Sequence, residues 1–131
     1  MVAGTARWLQ GDSAAAGELL RDCLRMKWLL SERLGVASAL EGLACLAAPV
    51  DMHLACTLMS AAHNEWERLE TSPQALPGMG QFHDEALLAL RDGLSAEQFE
   101  VAWQRGHALN QSAAVALALD EDAFRPFSTT R

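Results

Sequence analysis

The chain has 131 residues, half of them hydrophobic, no Tyr, and a formal net charge of −7. That length fits one domain able to bury a sizeable core, and the Ala- and Leu-dominated composition, poor in β-branched residues, favours helices. An acidic chain whose Lys and Arg are scattered disfavours a phosphate backbone as partner, and no stretch reaches the ~20 apolar residues of a membrane span.

In chain order, residues 3–10 read as a truncated helix carrying Trp8 and Leu9, broken at Gly11 and Asp12. The start MVAGTARWLQGD lacks the basic-then-apolar order of a signal peptide. Ser13 to about Ser31 is the first long helix. Its apolar positions Ala16, Leu19, Leu20, Cys23, Leu24 and Trp28 follow the three-and-four spacing of a buried face. Glu18, Arg21, Asp22, Arg25 and Lys27 occupy the other face, and Gly35 is expected to punctuate the end. Val36–Ala48 is apolar almost all round, which places it at the centre of the core. Pro49 stops it, and Asp51 is positioned to N-cap a helix running to about Leu69.

Thr71–Gly80, with its Ser-Pro and Leu-Pro-Gly, is the long linker. A helix follows from about Gln81 to Arg91. Ser95-Ala-Glu-Gln98 has the form of a capping box opening a helix to Leu109. Asn110 or Ser112 caps a last helix, Ala113–Leu119, and residues 120–131 form a tail expected to fray. No segment alternates with period two, so no strands are predicted. Cys23, Cys45 and Cys56 form an odd set without CxxC, inside helical patterns. They read as small buried hydrophobes in a reducing, cytoplasmic setting.

A loose repeat is visible. Gly11-Asp12 and Val50-Asp51 each open a unit in which a small residue (Ala16, Ala55), a large one (Leu20, Met59) and a small one (Cys23, Ala62) recur. This rhythm resembles the second helix of a tetratricopeptide repeat, at a 39-residue spacing longer than the usual ~34. Taken together, the runs GDSAAAGELLRDCL, ASALEGLACLAA, LACTLMSAAHNEWERL, DEALLALRDGLSAEQFEVAWQRGHAL and SAAVALAL are similar to the C-terminal helical-repeat region of actinobacterial LuxR-type and signal-transduction ATPase regulators. The resemblance implies an all-α domain over residues 1–119, with antiparallel tetratricopeptide-like pairs stacked as a short solenoid or bundle of six to seven helices. It implies a sensor or interaction role, holding a protein partner or small effector, without direct nucleic-acid contact. Apolar repeat ends point to a homodimer. The chain has no GxxxxGK[ST] loop and no recognition helix, so neither ATP hydrolysis nor DNA reading is assigned to it. Val50 stands where such repeats usually have Gly, and His63, His83 and His107 stand where Glu or Arg, an aromatic and Arg are usual.

Those histidines open a second reading. With the helices antiparallel in succession, at ~1.5 Å rise per residue, His63, His83 and His107 fall at one end of the bundle and His53 at the other. Each of the three shares a partly apolar stripe: His63 with Met59 and Trp66, His83 with Leu87 and Leu90, His107 with Trp103 and Phe99. Three His ligands with an open position would make a zinc centre whose bound water becomes a nucleophile at neutral pH. The alternative function is therefore a zinc-dependent hydrolase of activated esters or phosphoesters, with Glu67 or Asp84 as base or outer partner. The competing reading is four boundary histidines with local hydrogen bonds. His53 with Cys56 at i, i+3 is a weaker pair.

Overall fold

A computed structural model describes residues 13–120. The expected short helix with Trp8 and Leu9, and the tail beyond Asp120, lie outside the described residues. The described residues form six α-helices: α1 Ser13–Leu29, α2 Arg33–Ala47, α3 Met52–Arg68, α4 Met79–Gly93, α5 Ala96–His107 and α6 Gln111–Leu119. A single 3-10 turn, Pro73–Ala75, lies in the linker. No strand occurs among them. No described helix is long and apolar enough to cross a membrane.

Local chemistry sets the helix ends. The Asp51 side chain accepts from the Leu54 N–H at 3.1 Å and starts α3. Ser95 and Gln98 exchange both hydrogen bonds of a capping box and start α5. Asn110 rather than Ser112 caps α6 through the Ala113 N–H at 2.8 Å. One expected stop is corrected. Gly35 does not end α1; it lies in the first turn of α2, where its N–H donates to the Glu32 side chain. The chain leaves α1 through Ser31 instead, which takes the left-handed conformation at φ 55. The start of α4 moves two residues upstream of expectation because Gly78, at φ 79, makes the turn into it.

Helices α2 and α3 form the centre, each with a majority of its residues buried. Helix α1 packs antiparallel on α2, with Gly17 facing Leu46 and Gly42 facing Leu20. Its buried stripe agrees with expectation at Ala16 and Leu24 and in part at Leu20 and Trp28, and differs at three positions: Leu19 and Cys23 are exposed, while Arg21, expected on the polar face, turns inward. Gly17 faces Leu46 with the Arg21 side chain beside it, the inward stripe runs through Ala16, Gly17, Arg21 and Leu24, and Leu19 and Cys23 are left on the outer flank. The burial expected of all three cysteines holds for Cys56, in part for Cys45, and not for Cys23.

Helix α5 runs parallel to α3 and directly against it. Cys56, Ser60 and Asn64 donate to the main-chain carbonyls of Phe99, Trp103 and His107 at 3.6, 2.6 and 2.9 Å. Each pair is separated by 43 residues, so the bonds repeat once per turn along both helices. Gly106 permits this approach: a Cβ there would lie 2.1 Å from the Thr57 carbonyl oxygen. Helix α4 is the antiparallel return between them. Met52 meets Gly93 at one end, and Trp66 and His83 share a partner at the other. Helix α4 packs mainly on the 3-10 turn and only lightly on α2, α3 and α5. Helix α6 packs on α1, α2 and α3, and Gln111 donates to the buried Glu65 carboxylate at 2.7 Å.

Candidate functional site

A single carboxylate organises the most polar part of the core. Glu41 lies midway along α2 and is 1% exposed. One of its oxygens accepts from the Trp66 indole N–H at 3.1 Å, and the other lies 2.6 Å from His83 Nδ1. The Cys45 thiol, one turn further along α2, lies 3.9 Å from the second oxygen and 3.7 Å from the Phe82 carbonyl. A buried carboxylate is costly unless each oxygen is partnered; here α3 supplies one partner and α4 the other.

The pairing fixes the electrostatics. The hydrogen bond to Glu41 raises the His83 pKa above its ordinary 6.5; burial opposes this, and the charges of Glu41 and Asp84 add to it. His83 is thereby shifted toward its charged form, in which Nδ1 donates to the Glu41 carboxylate. Burial pushes the Cys45 thiol up to about 12, with the Glu41 charge and hydrogen bond and the Glu85 charge adding to it. Cys45 is consequently a thiol at neutral pH, not a thiolate nucleophile.

Above this cluster opens a pocket of about 250 Å³. Leu20 of α1 forms one wall. Ser38, Gly42 and Cys45 of α2 form the base beside Glu41. Pro77, Met79 and Phe82, from the linker and the first turn of α4, close the far side. Gly42 keeps the base low, because a Cβ there would press within 3.1 Å of the Leu20 side chain. The walls are apolar, Phe82 is exposed at the rim, and the Glu41–His83 pair lies beneath. Such a cavity offers shape and apolar surface with one polar anchor point, as small-molecule sites do.

The sequence-derived candidates fall in separate settings. His83 is the one built into this cluster, and its partner is the carboxylate of Glu41. His63 is exposed; its Nε2 lies 3.2 Å from Glu67, and its ring sits 5.7 Å from that of Trp103. His107 is exposed at the end of α5, where its carbonyl receives Asn64. Asp84 accepts from Gln74 of the 3-10 turn at 3.1 Å. His53 is exposed in the first turn of α3, away from the buried Cys56. Among the described residues, no three His, Cys, Asp or Glu side chains converge in an arrangement that would hold a metal. Glu41 escaped the reading of the sequence. Its signal was present: a lone carboxylate inside the otherwise apolar run from Val36 to Ala48.

Comparison with known protein families, curated proteins and solved structures finds no match for this chain.

Proposed function

We propose that this chain is a binding domain that takes a small apolar effector into the pocket between α1, α2 and the start of α4, and passes its occupancy to a protein partner through α4. The observation that carries this reading is the apolar pocket seated on the Glu41–His83–Trp66 cluster. Helix α4 supplies Met79 and Phe82 to the pocket wall and His83 to the anchor beneath. It is otherwise lightly packed on the core. A guest that pushes on Met79 or Phe82 therefore acts on the helix most easily displaced.

The resemblance of the sequence to the helical-repeat region of LuxR-type and signal-transduction ATPase regulators supports the same role, a sensor that reports to another module. Successive antiparallel packing of α1, α2 and α3 is what tetratricopeptide-like pairs would give, and we adopt that ancestry as part of the proposal. An effector role also agrees with the chemistry present: the pocket's thiol is protonated, and its carboxylate has both oxygens engaged.

Nile red, a neutral apolar fluorophore, tests the reading. Its emission should rise on binding, and Trp66 emission should change with it, because the indole is tied to Glu41 at the pocket base. Ser38→Phe fills the pocket from its α2 side and should weaken binding at least ~10-fold, or ~1.4 kcal/mol, while helicity is retained. Equal affinity in the wild type and Ser38→Phe would remove the pocket as the site.

A further inference from the structure

The outer flank of α1 carries a row of apolar side chains that nothing in the described fold covers. Leu19, Cys23, Met26 and Leu30 succeed one another at steps of four, three and four residues, and all are exposed. Leu29 lies beside them, 81% exposed, and Leu34 continues the patch across the turn into α2. The stripe is distinct from the inward face of Arg21, Leu24 and Trp28 and from the effector pocket, to which α1 contributes Leu20.

Three observations bear on what covers it. Its extent is the first. Weighted by exposure, these side chains present on the order of 500 Å² of apolar surface. That matches the apolar share of the ~800 Å² each partner buries in a standard stable interface, and it is large for a patch left to solvent. The second is its spacing. Steps of four, three and four are those of the seam between two helices in a coiled coil, and the order reads the same in both directions. An antiparallel copy therefore sets Leu19 against Leu30 and Cys23 against Met26, then repeats those pairs across the axis, as a two-fold interface requires. The third is charge. Asp22 and Arg25 sit together on one flank of the stripe, 2.7 Å apart and both exposed. A two-fold between Cys23 and Met26 turns that same flank of one copy toward the same flank of the other. Asp22 then comes within two residues of rise, ~3 Å along the axis, of Arg25 of the second copy, and the two Arg25 residues come within one, ~1.5 Å, each with its own Asp22 at 2.7 Å.

We propose that a second copy of this chain covers the stripe, the two α1 helices packing antiparallel about a two-fold axis between Cys23 and Met26. The interface is self-complementary in its apolar pairs, and each Arg25 carries its own Asp22 as partner. The stripe shares no residue with the pocket between α1, α2 and α4, so dimerisation and effector binding stand or fall separately.

Light scattering coupled to size-exclusion chromatography tests this on the whole chain. The wild type should run at twice the chain mass at micromolar concentration. Met26→Glu/Leu30→Glu should run as a monomer with unchanged circular dichroism, since both side chains are exposed in the single chain. Arg25→Asp, which sets four like charges together on one flank, should weaken the dimer a few-fold, the size of a surface ion-pair effect, and Asp22→Arg/Arg25→Asp should restore it. A monomeric wild type overturns the proposal and leaves the stripe to residues 1–12 or to another protein. A dimer indifferent to both the Met26/Leu30 and the Arg25 substitutions overturns it too, by placing the interface elsewhere. Nile red binding by the monomeric variant reports on the pocket alone.

Discussion

Glu41 shows how much one side chain can settle in a small core. Its two oxygens are engaged by Trp66 and His83, from two different helices. Replacement by Leu strands both partners and should cost ~3–5 kcal/mol in urea denaturation; Glu41→Gln, which still offers an oxygen to the indole, should cost less. The pH dependence follows from His83. Its pKa in the folded chain lies above 6.5. The stabilisation it contributes is therefore complete below the unfolded value and is lost as pH rises through the folded one. Thermal midpoints of the wild type should fall across that rise, and His83→Gln should remove this part of the slope. The cysteines give a third expectation. Cys23 is exposed, while the Cys45 and Cys56 thiols are pushed up to about 12 and about 11, chiefly by burial. A thiol reagent such as dithionitrobenzoate should titrate one cysteine among these three in the native chain at pH 8 and the other two only on unfolding. At this scale the sequence was legible where chemistry is local and opaque where it is not. Asp51 and the Ser95–Gln98 box link residues three positions apart and could be read directly, and Asn110 was one of two neighbouring candidates for its cap. The partnership of Glu41 with His83 spans 42 positions, and no spacing rule reaches that far.

Among the elements, α3 and α5 make the tightest pair. Side-chain donors from α3 meet carbonyls of α5 once per turn, and Gly106 sits where a Cβ would strike the Thr57 oxygen and the Ser60 Cβ. Gly106→Ala forces the two helices apart. It should destabilise by ~1–3 kcal/mol, as overpacking does, although Ala is the better helix former; a gain in stability on substitution would contradict the close crossing. The succession of helices and most of their ends were apparent from periodicity and caps. The facing of α1 was not. Leu19 and Cys23 have the spacing of a core stripe, yet Gly17 and Arg21 lie on the side that meets α2. Two apolar stripes share that helix, and hydropathy alone does not say which one faces the core. The histidines met the same difficulty. Their levels along the bundle follow from helix rise, but their partners depend on side chains such as Glu41 and Glu67 that periodicity does not arrange.

In the molecule as a whole, packing is uneven. Helices α1, α2, α3 and α5 are laid against one another extensively, while α4 leans chiefly on the 3-10 turn before it. Amide hydrogen exchange should therefore be fastest, among the five longer helices, in α4, and effector binding should slow it selectively. The last helix behaves differently. Although α6 has only nine residues, it reaches back to α1, α2 and α3, joining segments about a hundred positions apart. A row of repeats that touch only their neighbours grows from one end and is complete at every step. Here the last helix also touches the first three. While it emerges from the ribosome, α1 to α3 can pair, but their shared flank stays bare until Leu119 has been made. That apolar surface stays open while α4 and α5 are made, because the helix that covers it follows them in the chain.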